Sequence, residues 1–167
     1  MLYPIDETAK AVGLAPQTVR NWIASGVLPV PNHRPGKGAK IGLSRFEVIV
    51  VLVAAELSHV GIGPKSFSPI VPQLAYNVKM IAEYLQGAEQ GAYFIQSGHE
   101  PVHMAEMVEQ NSFFAIYYDP SAENGFSCIA AKPGDTLETV DTTKVVVDAL
   151  HLHFKADSIL KTLPQME

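Results

Sequence analysis

Residues 16–28 carry polar side chains at helical spacing that could contact nucleic acid. Pro16, Val19 and Ile23 fall on one face of a helix, and the polar residues fall on the other. The polar face contains Gln17, Thr18, Arg20 and Asn21. Amide, hydroxyl and guanidinium groups can hydrogen-bond to base edges and bind phosphates. Because proline suits the first position of a helix and glycine its end, Pro16 and Gly26 bound a helix with a polar outer face.

The charge of the chain is unevenly distributed. Residues 8–46 contain six cationic side chains and no Asp or Glu, although the whole chain has a net charge of −5. Residues 1–86 hold eight Lys or Arg against five Asp or Glu, whereas residues 87–167 hold four against twelve. A basic patch in an acidic protein indicates a polyanionic partner. We therefore expect the first half to bind DNA and the acidic half to serve dimerisation or regulation.

The N-terminal half contains a longer pattern around the same helix. It reads Ala9-Lys10-x-x-Gly13-Leu14-x-x-x-Thr18-Val19-Arg20-x-Trp22, then Gly26-Val27-Leu28, a basic glycine-containing loop and a Ser-x-x-Glu helix start. This combination resembles the DNA-binding domain of the MerR family of winged-helix regulators. The sequence departs from the family pattern at two positions. Ala15 stands where family members carry a capping Ser or Thr, and the wing lacks the tyrosine that they usually carry after the basic position, which here is Lys40. Phage excisionases and terminase small subunits share this fold, and the resemblance ends with the first half.

The resemblance implies a set of DNA contacts. The second helix would enter the major groove, and a wing formed by residues 29–42 would press on phosphates. The candidate contacts are Gln17, Thr18, Arg20, Asn21, Trp22, Arg34, Lys37, Lys40 and Arg45. For Trp22 a place in the core is the preferred interpretation and a contact with the DNA backbone is the alternative. The prolines and glycines of the wing segment exclude a helix there. The alternative to a DNA-contacting wing is a solvated loop.

Three further helices are predicted to position these residues. Asp6 caps a first helix that ends near Val12, and the Ser44–Glu47 capping box starts a third helix that is apolar nearly all round. A fourth helix begins at residue 68 or 72 and ends near residue 86. Its apolar residues at spacings of three and four are Val71, Leu74, Val78, Ile81 and Leu85. This seam could form a dimeric coiled coil or pack on the protein's own chain, and the sequence does not decide between them.

The pattern of residue types in the second half predicts a small sheet with helices. Residues 92–95, 113–118, 126–131 and 145–150 are predicted strands, the middle two form a hairpin, and a terminal helix covers residues 153–163. The predicted fold class is α+β. It comprises a MerR-like winged-helix domain (1–65), a linking or dimerisation helix (66–86) and an acidic α+β domain (87–167). The sheet of that domain should have three or four mainly antiparallel strands.

Several histidines raise the question of metal chemistry. His99-Glu100-Pro101-Val102-His103 matches His-Glu-x-x-His, which binds zinc when it lies on a continuous helix. Pro101 interrupts such a helix and is better placed as the first residue of a helix over residues 102–110. His151 and His153 could share a strand face, a weaker metal or pH-sensing candidate. A zinc hydrolase is therefore the least favoured function. The sequence predicts a protein that binds no metal and no cofactor and has no enzymatic activity.

The expected protein is a cytoplasmic transcriptional regulator of bacterial or phage type that binds double-stranded DNA as a homodimer. Repression is preferred over activation, and a small molecule or protein effector is a candidate partner of the acidic domain. The alternative is an architectural, excisionase-like DNA-binding factor. The lone Cys128 excludes an intramolecular disulfide, and the longest apolar run, residues 48–55, is too short to span a bilayer.

Overall fold

The computed structural model describes residues 1–30, 42–91, 93–94, 102–111, 113–118, 121, 126–131 and 145–166. The chain divides into two compact units, of which the first comprises Met1–Ala75 with Phe154–Glu167 and the second Tyr76–His153. In chain order the elements are β1 (Tyr3–Pro4), α1 (Ile5–Ala11), α2 (Pro16–Ala24), β2 (Gly42–Leu43), α3 (Arg45–His59), α4 (Pro64–Phe67), α5 (Val71–Glu89), β3 (Tyr93–Phe94), β4 (Val102–His103), α6 (Met104–Asn111), β5 (Phe113–Tyr118), β6 (Phe126–Ala131), β7 (Val145–Asp148) and α7 (Ala149–Thr162).

Helices α1 and α2 are joined by a four-residue turn. Gly13 adopts a φ of +76° there, a conformation that glycine takes at little cost. Helix α2 begins at Pro16, and its cap residue Ala15 supplies no side-chain hydrogen bond, as its type predicts. The helix ends where Gly26, with φ +74°, donates its N–H to the carbonyl of Ile23. The predicted second helix is thus confirmed at both ends.

The first helix begins earlier than predicted. Pro4 occupies the cap position, α1 starts at Ile5, and Asp6 lies inside the first turn. The prediction that Asp6 caps α1 is therefore wrong. The Thr8 hydroxyl instead donates to the Pro4 carbonyl at 2.9 Å, and the Asp6 carboxylate is left to interact with another helix.

Helix α3 forms the centre of the first unit. The Ser44 hydroxyl accepts from the Glu47 N–H, and the Glu47 carboxylate accepts from the Ser44 N–H, so the predicted capping box is confirmed. Residues 47–55 and Leu57 are buried, which confirms a helix apolar on nearly every side. Burial of this many apolar side chains makes α3 the main source of hydrophobic stabilisation in the unit.

Both ends of the chain lie in this first unit. Strands β1 and β2 pair antiparallel, with Tyr3 opposite Leu43, and Leu2 forms an isolated bridge with Met166. The Met166 N–H donates to the Leu2 carbonyl at 2.9 Å. The predicted boundary at residue 87 assigned the whole terminal helix to the acidic domain. In the structure residues 154–167 group with the N-terminal unit instead.

Helix α5 continues three residues beyond its predicted end. Four of its five seam residues, Val71, Leu74, Val78 and Ile81, are buried within the single chain, and Leu85 is partly exposed. Because these side chains are already covered, their burial favours packing on the protein's own chain over a coiled coil with a second copy. None of the helices in the described ranges combines the length and apolar character needed to cross a membrane.

The second unit contains a small sheet. Strand β5 lies between β6 and β7 and is antiparallel to both, and β5 and β6 form the predicted hairpin. A separate pair, β3 and β4, places Tyr93 opposite His103. The α+β class is confirmed, with helices predominating among the described residues.

Two predicted helix starts in this region are wrong. Helix α6 begins at Met104 and not at residue 102, because Val102 and His103 pair with β3. Helix α7 begins at Ala149, four residues before the predicted start. The Asp148 carboxylate accepts from the His151 N–H at 3.0 Å, which is the interaction of a helix-capping side chain. His151 and His153 therefore lie on a helix, where residues two apart do not face each other.

Candidate nucleic-acid interface

Helix α2 has a buried apolar face and a polar outer face. Val19, Trp22 and Ile23 are buried, with at most 8% of their surface exposed. Gln17 and Asn21 are exposed, and Thr18 and Arg20 are half-buried. The structure therefore brings together four of the predicted contact residues on one helix, on the side opposite its packing face.

The two amides of the outer face interact directly. Gln17 Nε2 donates to Asn21 Oδ1 at 2.8 Å, one helical turn apart. Such pairs give a helix only a few tenths of a kcal/mol. The main consequence of this bond is orientation, since it fixes the directions in which the nitrogen and the oxygen of each amide point.

Arg20 contacts α1. Its Nη2 atom lies 2.5 Å from Asp6 Oδ1, and both side chains remain about two-fifths exposed. The guanidinium group has five N–H donors, and only part of them face this carboxylate. Arg20 can therefore contact a second anion, but its charge is partly neutralised by Asp6.

Two other cations of the basic region are also paired with carboxylates. Lys10 Nζ lies 2.8 Å from Glu7 Oε1, and the hydrogen bond and negative charge of Glu7 raise the pKa of Lys10. Arg45 Nη2 lies 3.6 Å from Asp157 Oδ1 on α7. Asp157 also contacts Lys161 at 2.6 Å. These are exposed pairs that a phosphate can compete with.

Trp22 belongs to the core. Its ring meets Phe67 in a T-shaped arrangement, with 5.1 Å between ring centroids and an interplanar angle of 78°. Only 8% of Trp22 is exposed, which matches the preferred core interpretation. Little of the ring is left exposed for an extended contact with a DNA backbone, and such a contact by Trp22 stays a prediction.

A shallow, mostly apolar depression lies beside the end of α2. It has a volume of about 630 Å³ and is lined by Asn21, Trp22, Ser25, Gly63, Pro64 and Lys65, among others. The Ser68 hydroxyl donates to the Val27 carbonyl at 2.9 Å and fixes the chain where it leaves α2. Lys65 is an exposed cation at this depression, and it is not among the contacts predicted from the sequence. The sequence signal for Lys65 is its position directly after Gly61, Gly63 and Pro64, which interrupt a helix.

Arg34, Lys37 and Lys40 lie outside the described residues, as do His99 and Glu100. His103 lies at the end of strand β4, where its Nδ1 accepts from the Ala105 N–H at 3.2 Å. Within the described part of the chain, no three His, Cys, Asp or Glu side chains are grouped so that they could hold a metal ion.

The sequence matches no protein-family model and no curated protein. The outer face of α2 and the distribution of charge are therefore the features of the molecule that indicate a function.

Proposed function

We propose that this protein is a sequence-specific DNA-binding transcriptional regulator that acts as a homodimer. The observation that carries the proposal is the outer face of α2. It presents Gln17, Asn21 and Arg20 opposite a buried face, within a segment of 39 residues that has no acidic side chain. A rigid helix with amides and a guanidinium on its open side is the usual element for reading the major groove.

The charge distribution supports the same proposal. The first unit holds nine Lys or Arg against six Asp or Glu, and the second unit holds three against eleven. The net charges are therefore +3 and −8. DNA phosphates attract the first and repel the second, so the second unit suits a role in dimerisation or effector binding.

In the proposed complex α2 lies in the major groove. Gln17 and Asn21 face base edges, and Arg20 contacts guanine or a phosphate. Arg34, Lys37 and Lys40 precede β2 in the chain and serve as the wing of a MerR-like domain. Contacts with phosphates give affinity and register, whereas contacts with bases give sequence choice.

Dimerisation follows from the size of the recognition element. One helix reads only a few base pairs, so useful specificity requires two copies and an inverted repeat in the DNA. We expect the dimer to repress transcription by occupying its operator in the cytoplasm.

The test is selection from random-sequence duplexes with the full chain, followed by sequencing. The full chain is needed because residues 154–167 belong to the same unit as α2. Enrichment of an inverted repeat supports a dimeric regulator. Binding without enrichment indicates an architectural, excisionase-like factor, and absence of binding refutes the proposal.

A further inference from the structure

We infer that Gln17 reads an adenine in the major groove, and that Asn21 is the positioning residue that fixes its amide for this contact. The inference rests on the proposed function and adds the base that the helix selects. It comes from a single hydrogen bond on the outer face of α2, between Gln17 Nε2 and Asn21 Oδ1 at 2.8 Å.

The bond determines the direction of the Gln17 amide. An Asn or Gln side chain can rotate to exchange its oxygen and nitrogen, and that exchange changes what it recognises. Here the nitrogen of Gln17 is turned toward residue 21, and its Oε1 is turned away. One Nε2 hydrogen is used by Asn21, which leaves Oε1 as an acceptor and the second hydrogen as a donor.

Adenine is the base that complements this remaining pattern. In the major groove it presents the N6 donor beside the N7 acceptor. Oε1 can accept from N6 while the second Nε2 hydrogen donates to N7. Guanine presents two acceptors, so its O6 would face Oε1, and cytosine and thymine each present only one polar group.

The position of the pair suits direct contact with a base. Gln17 and Asn21 are both exposed and stand one turn apart on α2, whereas Val19 and Ile23 anchor the opposite face in the core. Arg20 is directed to Asp6 on α1, so its guanidinium does not take the place of the Gln17 amide. A recognition group held by a neighbour on a rigid element discriminates better than a mobile one.

The first experiment compares base preferences selected by the parent, Gln17→Ala and Gln73→Ala full-length proteins. Gln73 is an exposed glutamine on α5 and serves as the matched control. The parent and the control should select an adenine at one position of each half-site. Gln17→Ala should lose the preference at that position and keep it elsewhere.

The second experiment replaces the selected adenine by 7-deazaadenine, which lacks N7, or by purine, which lacks the N6 amino group. Each replacement should weaken binding of the parent about 5- to 150-fold, and neither should affect Gln17→Ala. Asn21→Ala should reduce this sensitivity because the hydrogen bond that orients the Gln17 amide is lost. Asn21→Asp should restore it, since an Oδ atom still accepts from Nε2, although its negative charge weakens binding to every duplex.

The outcomes separate this inference from the proposed function. If the parent enriches no sequence, sequence-specific regulation is refuted together with the inference. If the parent enriches a site at which Gln17→Ala selects the same bases, the inference alone is overturned. Equal sensitivity to 7-deazaadenine in parent and Asn21→Ala would remove the positioning role of Asn21.

Discussion

Arg20 on α2 is ion-paired with Asp6 on α1, with 2.5 Å between Nη2 and Oδ1. The pair joins the candidate recognition helix to the helix that precedes it. It also places the Asp6 carboxylate next to Arg20, the cation on which we expect DNA binding to depend.

Loss of Arg20 should weaken DNA binding strongly. Arg20→Ala removes a guanidinium that can contact guanine or phosphate, and we expect a loss of about 1–3 kcal/mol of binding free energy. Fluorescence anisotropy with the selected duplex measures it. Lys79→Ala, which removes an exposed cation on α5, is the control and should have little effect. Unchanged affinity in Arg20→Ala would show that α2 does not dock as proposed.

Removing the Asp6 charge should strengthen binding. In Asp6→Asn the guanidinium of Arg20 is no longer partly neutralised, and the repulsion between Asp6 and phosphate disappears. Kd should fall at low salt, and the dependence of log Kd on log salt should steepen. Glu83→Gln makes the same change of charge at an exposed site on α5 and controls for net charge. Weaker binding by Asp6→Asn would mean that Asp6 positions Arg20 and does not compete for it.

Asp157 should restrain Arg45 in a similar way. Its carboxylate contacts both Arg45 and Lys161, so Asp157→Asn leaves two cations without this partner. We expect tighter binding to all duplexes, with no change in base preference, since Arg45 would contact only phosphates. The measurement is Kd for the selected duplex and a scrambled one. A selective gain for the selected duplex would contradict a role confined to phosphates.

The capping box should contribute measurably to stability. Ser44→Ala removes the side-chain acceptor of the Glu47 N–H, and we expect a loss of about 0.5–2 kcal/mol in the free energy of unfolding. Urea denaturation followed by circular dichroism checks this. Ser158→Ala, at an exposed position within α7, should change stability by less than about 0.5 kcal/mol. Equal effects of the two substitutions would argue against the cap.

Gly42 lies where the N-terminal and C-terminal segments of the chain meet. A Cβ atom at this position would lie 2.9 Å from Leu2 Cβ and 3.0 Å from Met166 Sδ. Gly42→Ala should therefore lower the free energy of unfolding by about 1–3 kcal/mol through overpacking. Gly63→Ala meets no heavy atom within 4 Å and is the control. If Gly42→Ala is as stable as the control, the N-terminal strand and the C-terminal segment do not meet as described.

Elements with strong local signals were predictable from the sequence. Pro16 and Gly26 mark the ends of α2, and Ser44 with Glu47 marks the start of α3. Each signal depends on residues that are close in the sequence, so it can be recognised without knowledge of the tertiary fold. The hairpin of β5 and β6 was found for the same reason.

Features that depend on distant residues were not predictable. Asp6 has the residue type of a cap, but the packing of α1 against α2 brings its carboxylate to Arg20. The bridge between Leu2 and Met166 joins the two ends of the chain, and neither residue carries a local signal of it. The early start of α7 depends on Asp148, which follows three valines that favour a strand.

The candidate site was predictable in its residues but not in its interactions. The sequence placed Gln17 and Asn21 on one helical face because the helix period is fixed. It did not show that the two amides bond to each other or that Lys10, Arg20 and Arg45 pair with carboxylates. Such contacts depend on rotamers and on the packing of neighbouring helices.

The central claim is that the outer face of α2 carries sequence-specific DNA binding. The most direct measurement compares Kd for the selected duplex and a scrambled duplex, in the parent and in a full-length variant with Gln17, Arg20 and Asn21 all replaced by Ala. The account predicts that the parent prefers the selected duplex by at least about 10³-fold. The triple variant should keep its helical circular dichroism and bind both duplexes weakly and equally. A folded triple variant that retains the parent's preference would contradict the account.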